Sequence, residues 1–251
     1  MRSTTLFIVL FTLLLGGAAS AKERHQTISF PSATGNASGY LSLPATGGRH
    51  PAIIVIQEWW GLNSWIRQQT DRFAGQGTVA LAVDLYRGRS TTDPNEAHEL
   101  MRGLPEDRAL ADLQAGLRYL RARSDVDGSR IAVIGWCMGG GYALQLAIAE
   151  PTLAGAVINY GHLATDRKTI SSIRPPILGN FGALDRGIPP ADVNAFDAAL
   201  KSDGKSSDIK VYDGAGHAFM NPNNKEGYVK AAAADAWKRI DAFLRQRLRR
   251  S

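Results

Sequence analysis

The sequence predicts an α/β fold, a mostly parallel twisted sheet with helices on both faces, in one domain. Two observations carry this. Short apolar runs alternate with helix-length segments along nearly the whole chain. The Ala52 to Gln57 run is a continuous stretch of Ile and Val, the pattern of a strand buried on both faces. A chain of 251 residues is long enough to bury most of its apolar surface in one large core.

The first 21 residues stand apart from that pattern. Met1-Arg2 gives a basic start, Leu6 to Leu15 is almost wholly apolar, and Ala19-Ser20-Ala21 has the form of a cleavage site. This reads as an export signal cleaved after Ala21, which places the mature chain in the periplasm or outside the cell. The apolar stretch is short for a bilayer span of about 20 residues; an uncleaved anchor is the alternative. No later segment is apolar enough to span, so no membrane association is expected after cleavage.

The elements then follow in order. Ile28 to Phe30 and Tyr40 to Leu43 form an opening hairpin around the turn-rich Ser32 to Gly39. After the Ala52 strand, Asn63 or Ser64 caps a helix that Gly75 and Gly77 end, and Val79 to Val83 is the next strand. Asp93-Pro94-Asn95-Glu96 combines a capping side chain, an N1 proline and a capping-box glutamate. A helix or helix pair runs from there to about Arg123, broken near Gly103-Leu104-Pro105. Asp127-Gly128 turns the chain into the strand Ile131 to Ile134, and a helix leaves through Tyr142 to Ala149. Further strands are Ala156 to Asn159, Ile177 to Asn180 and Ile209 to Tyr212. The closing helix sets Ala233, Trp237, Ile240, Leu244 and Leu248 on one apolar stripe.

Charge and cysteine content exclude several classes. The net charge is +6, and signal cleavage removes Arg2 alone, leaving +5. Arg245, Arg247, Arg249 and Arg250 crowd the C-terminal helix end, where cations suit the dipole. No aromatics interleave with them, so nucleic acid is not an expected partner. The single cysteine excludes an internal disulfide.

That cysteine sits in Gly135-Trp136-Cys137-Met138-Gly139-Gly140, between a strand and a helix. Gly135 and Gly139 supply the small residues that so tight a turn needs, at the Gly-x-nucleophile-x-Gly spacing. Unpaired N–H groups at the helix start favour a thiolate, and the Met138 N–H would face a developing oxyanion. The competing reading is a buried, inert thiol. A nucleophile needs a base and the base an orienting group. His217, in the glycine-rich loop Gly214 to Phe219, is the candidate base; His162, in Tyr160-Gly161-His162, could line the mouth of a site. Asp185 follows the strand Ile177 to Asn180, with Asp213 as competitor and Asp192 and Asp197 as exposed helix positions. Glu58 follows a buried strand and precedes Trp59-Trp60-Gly61, which puts a carboxylate in apolar company at the sheet edge. A surface glutamate at a loop start is the equal alternative.

Together these residues resemble the dienelactone hydrolase family. The matching motifs are Gln57-Glu58-Trp59-Trp60-Gly61-Leu62-Asn63, Asp84-Leu85-Tyr86, Gly135 to Gly140, Gly182-Ala183-Leu184-Asp185 with Ile188-Pro189, and Gly216-His217-Ala218-Phe219. They run in the family's order from about Ile28 to Leu248. The resemblance implies an α/β-hydrolase fold with a triad of Cys137, His217 and Asp185. It also implies a Glu58 that contacts the resting thiol until substrate shifts the pair, and a second oxyanion donor at the Trp59 N–H. Tyr86, Trp60, Arg87 and Arg89 are the implied substrate contacts. Family members that open dienelactone hold its carboxylate with two arginines. Arg87 and Arg89 flank one of those positions, and Asn221 stands at the other. Losing that cation removes a charge-assisted hydrogen bond worth about 1.5–3 kcal/mol, roughly ten- to a hundredfold in binding.

The expectation is therefore an exported, monomeric, cysteine-dependent hydrolase of small carboxylic esters or lactones, without metal or organic cofactor. The rival is a non-catalytic binding protein of the same fold, with Trp59, Trp60 and Trp136 gripping an apolar ligand. A redox-sensing thiol ranks behind both, since no resolving cysteine exists.

Overall fold

The computed structural model describes residues 24–249, so the segment read as an export signal lies outside the described residues. The elements in chain order are β1 (His25–Ser32), β2 (Gly35–Ser42), β3 (His50–Ile56), α1 (Ser64–Gly75), β4 (Val79–Val83), α2 (Pro94–Arg102), α3 (Glu106–Ala122), β5 (Val126–Trp136), α4 (Met138–Ala149), β6 (Gly155–Asn159), α5 (Arg167–Ser172), β7 (Ile177–Gly182), α6 (Pro190–Ser202), β8 (Ser207–Tyr212) and α7 (Lys230–Arg247). One eight-stranded sheet has the order β1-β2-β4-β3-β5-β6-β7-β8. The opening hairpin pairs antiparallel, as does β2 with β4; every pairing from β4 to β8 is parallel.

Parallel neighbours need crossover connections, and these bury both faces. On one face Ile54, Ile56, Leu81, Val83, Ile131 and Val133 pack with Leu113, Leu117, Leu144 and Phe196 from α3, α4 and α6. On the other, Ile53, Val55, Ala80, Ala132, Ile134 and Val157 pack with Ile66, Phe73, Ile240 and Leu244 from α1 and α7. Odd and even positions of β3 thus serve different cores, as the two-residue strand period dictates. Gly116 lets α3 approach closely, since a Cβ there would lie 2.8 Å from Val83 Cγ2. The α7 stripe buries Ala233, Ile240, Leu244 and Leu248, while Trp237 at its edge is partly covered.

Several boundaries differ from those the sequence predicts. The hairpin strands extend to a turn at 33–34, because the polar Ser38 and Asn36 stay within the ladder. Asp127 and Gly128 lie inside β5; the turn falls at Ser124-Asp125, where Arg123 brackets Asp125 with two hydrogen bonds of 2.8 and 2.6 Å. Asn63 caps α1 through Ile66 N at 3.1 Å. Asp93 caps α2 through the N–H groups of Asn95 and Glu96, but the return half of the box is not made. The Asp93 N–H goes to Thr91 Oγ1, and Glu96 turns to Arg89. Asp197 is half-buried instead of exposed, holding Lys201 and the Ser207 hydroxyl.

Candidate active site

The site is built at the carboxyl ends of β3, β5, β6 and β7, the edge at which open α/β sheets bind ligands. Cys137 caps α4 with φ 55° and ψ −122°. A left-handed backbone at a non-glycine residue costs on the order of 1–3 kcal/mol and persists only where its surroundings over-determine it. Here they do. A Cβ on Gly135 would lie 1.9 Å from Gly139 O, and one on Gly139 would lie 2.4 Å from Gln57 O. The elbow therefore closes only with glycine at both places. Met138 opens α4, so its N–H has no partner four residues back in the helix. Trp59 lies in the turn after β3 that Gly61 N closes on Glu58 O at 3.2 Å.

His217 projects from the loop after β8, and its Nδ1 donates to Asp185 Oδ2 at 2.7 Å. Asp213, the competing acid, is exposed and does not hold the ring. Asp185 is 4% exposed, and its Oδ1 also accepts the Gly187 and Ile188 N–H groups at 2.9 and 3.2 Å. Burial would raise its pKa, but His217 and these two donors hold it below the ordinary carboxylate value. For His217, burial works against the charged ring; the Asp185 hydrogen bond and the nearby Cys137 prevail and raise it to about 10. The Cys137 sulfur acts on the ring both as a hydrogen-bond partner and as a neighbouring charge.

Glu58 is 1% exposed. Burial pushes its pKa up to about 7, opposed by the Asn221 amide, His217 and Tyr160. Asn221 Nδ2 donates to Glu58 Oε2 at 2.6 Å. The other oxygen, Oε1, has no hydrogen-bond partner among the described residues, nor has the Tyr160 hydroxyl that neighbours the carboxyl. The Tyr160 ring also meets the His217 ring edge-on at 5.3 Å. Asn221 thus does not leave an empty arginine position. It is 3% exposed and turned inward, and its Oδ1 accepts the Asn223 N–H at 2.9 Å.

The expected substrate contacts divide. Tyr86 is buried beside the elbow, donating to Met138 Sδ at 3.3 Å, with its hydroxyl held in the neutral form by burial and by Cys137. Trp59 and Trp60 are half-buried and meet edge to face at 4.8 Å, and His98 meets Trp59 at 6.4 Å. Both arginines are engaged by carboxylates. Arg87 Nη2 bonds Thr34 and the buried Asp112 (3.4 Å) on α3, and Arg89 Nη2 pairs with Glu96 at 3.1 Å. Both heads are drawn to carboxylates other than Asp185 and Glu58. Trp136 is wholly buried against Trp65 and Trp237, so it cannot grip a ligand. His162 is exposed beside Gly141 on the first turn of α4.

Sequence reasoning missed Tyr160, Asn159 and Asn180, which shape the site from beneath. A signal existed: an asparagine, an aromatic and a glycine close both the β6 and β7 runs, as Asn159-Tyr160-Gly161 and Asn180-Phe181-Gly182. A cleft of about 180 Å³, lined by Pro51, Phe73, Thr78 and Leu244, lies at the opposite end of the strands and carries none of this chemistry. Among the described residues no cluster of three or more His, Cys, Asp or Glu side chains is placed to hold a metal.

A strand-elbow-helix with an acid after β7 and a histidine after β8 defines the α/β-hydrolase class. Residues 37–248 match the model of the dienelactone hydrolase family, and the chain belongs to that family. A Methylorubrum extorquens protein, provisionally named carboxymethylenebutenolidase, is 30% identical over 87% of this chain and 80% of its own length. Protein usf of Aquifex pyrophilus is 32% identical over 84% and 93%. A crystal structure from Klebsiella pneumoniae, provisionally identified as a dienelactone hydrolase, superposes with a TM-score of 0.80 at 30% identity, covering 88% of this chain and 98% of that one.

Proposed function

We propose that the chain is an exported, monomeric hydrolase of small carboxylic esters or lactones that acts through an acyl-enzyme on Cys137. Membership of the dienelactone hydrolase family gives the reaction class. The observation that carries the mechanism is the line Asp185–His217–Cys137, with His217 Nδ1 on Asp185 Oδ2 at 2.7 Å and the sulfur facing the same ring.

Cys137 attacks the substrate carbonyl, and the N–H groups of Met138 and Trp59 hold the oxyanion. His217, oriented and charge-stabilised by Asp185, passes the thiol proton to the departing alkoxide. Water activated by the same ring then releases the acid and restores the thiol. Glu58, with a pKa raised to about 7, is able to exchange a proton with the thiol near neutral pH when substrate enters. The export signal read from Met1 to Ala21 supports a periplasmic or secreted location, and no described helix is long and apolar enough to cross a membrane.

The test is turnover of p-nitrophenyl acetate. Burst release of one nitrophenolate per Cys137 is expected, and activity surviving Cys137→Ala would overturn the reading in favour of another nucleophile. Should neither wild type nor variant turn over any ester or lactone, the binding-protein reading stands in its place.

A further inference from the structure

Cys137 and Tyr160 share an unusual backbone, with φ of 55° and 38°, and both face His217. Each donates its N–H to an asparagine at the end of the neighbouring strand. Cys137 N reaches Asn159 O at 3.0 Å, and Tyr160 N reaches Asn180 O at 2.8 Å. The two asparagines are fully buried in the otherwise apolar strands β6 and β7. Their side chains are joined, Asn180 Nδ2 donating to Asn159 Oδ1 at 2.8 Å. Asn159 Nδ2 then donates to Gly135 O at 3.0 Å, on the strand side of the elbow.

The chain of bonds continues away from the site. Asn180 Oδ1 accepts from Arg239 Nη1 on α7, and Tyr212 Oη approaches the same oxygen at 3.4 Å. Arg239 Nη1 also reaches Gly179 O at 3.2 Å, while Nη2 donates to Asp208 O and Oδ1 at 3.0 and 2.7 Å. A buried amide is costly unless its groups are paired, and an Ile or Leu would satisfy the sheet as well. These amides are paired, and the side-chain bonds run from Arg239 through Asn180 and Asn159 to Gly135 O, two residues before Cys137, while the Cys137 and Tyr160 N–H groups rest on the main-chain oxygens of the same two asparagines. Packing alone does not call for that arrangement; fixing the elbow does.

We propose that Asn159, Asn180 and Arg239 form a positioning relay that locks the Cys137 elbow and Tyr160 to the closing helix. The sulfur is thereby held at one place relative to His217. The proposal rests on Cys137 as nucleophile and adds three residues that touch no substrate. Displacing a reacting atom by a fraction of an ångström lowers the rate of the chemical step more than it weakens substrate binding.

Arg239→Met keeps an aliphatic stem at this position of α7 and removes the guanidinium. Expected are a fall in kcat of about tenfold with KM within about twofold, and a similar slowing of Cys137 alkylation by iodoacetamide. Arg239→Lys, which returns one donor to Asn180, restores most of both rates. Asp208→Asn, at a side chain 68% exposed and harmless to folding, lowers kcat in the same sense by about two- to threefold. Rates unchanged per folded molecule, with only a lower melting temperature, would overturn the relay. Alkylation reads the relay even if no ester is turned over, so its failure is separable from failure of the hydrolase reading.

Discussion

Asp185 and Glu58 lie at the same edge of the same sheet, 4% and 1% exposed, yet their surroundings push them in opposite directions. Asp185 has two backbone N–H donors and an imidazole within 3.2 Å, and stays ionised below the usual range. Glu58 has one amide donor and an oxygen with no partner among the described residues, and rises to about 7. Burial opposes ionisation of both and most strongly that of Glu58; the number and charge of the donors around Asp185 outweigh it there, and those around Glu58 do not.

The sharpest way to break the contrast is to neutralise the fixed anion. Asp185→Asn keeps the shape but leaves the imidazole without its counter-charge and in the wrong tautomer; kcat on p-nitrophenyl acetate is expected to fall about 10³- to 10⁴-fold. The second change neutralises the carboxyl whose pKa is raised. Glu58 has a folded pKa of about 7 against an ordinary 4.5, so its stabilising contribution is full below about 4.5 and is lost as pH rises through 7. Glu58→Gln should therefore gain about 3 kcal/mol over wild type at pH 8 and almost nothing at pH 4, measured by urea unfolding.

A smaller effect should come from the donor between them. Asn221→Leu deprives Glu58 of its amide, and a hydrogen bond to a charged group is worth about 1.5–3 kcal/mol. The loss in stability should appear above pH 7, where Glu58 is ionised, and shrink below it. An equal loss at both pH values would mean that Asn221 serves the loop and not the carboxylate. The smallest is an exposed control. Glu96 has its pKa lowered by Thr91 and Arg89, and both partners of the Arg89–Glu96 pair are solvated. Arg89→Ala should move stability by less than about 0.5 kcal/mol and leave preference between acidic and neutral esters unaltered.

Local chemistry made much of this legible in the chain. The β3 and β4 runs, the Asn63 and Asp93 caps and the break before Pro105 are short-range signals, and the structure carries them within a few residues. Asp127-Gly128 keeps its local turn character inside β5: the pairing with β3 jumps from His50–Val126 to Ala52–Ile131 across it, and Asp127 Oδ1 accepts the Ser129 N–H. The partner of Arg87 could not be read locally, because Asp112 lies 25 residues away on α3.

By itself the sequence determined the fold class, the glycine elbow and the order of Cys137, Asp185 and His217, since each depends on periodicity or steric demands within a few residues. Only the tertiary structure decided that Asn221 faces Glu58, 163 residues distant, that Asn159 and Asn180 join their side chains beneath the elbow, and that Arg87 pairs with Asp112. Hydrogen-bond partners and local dielectric are set by which distant segments the sheet order brings together. A carboxylate's proton affinity is a property of that neighbourhood, not of its place in the chain.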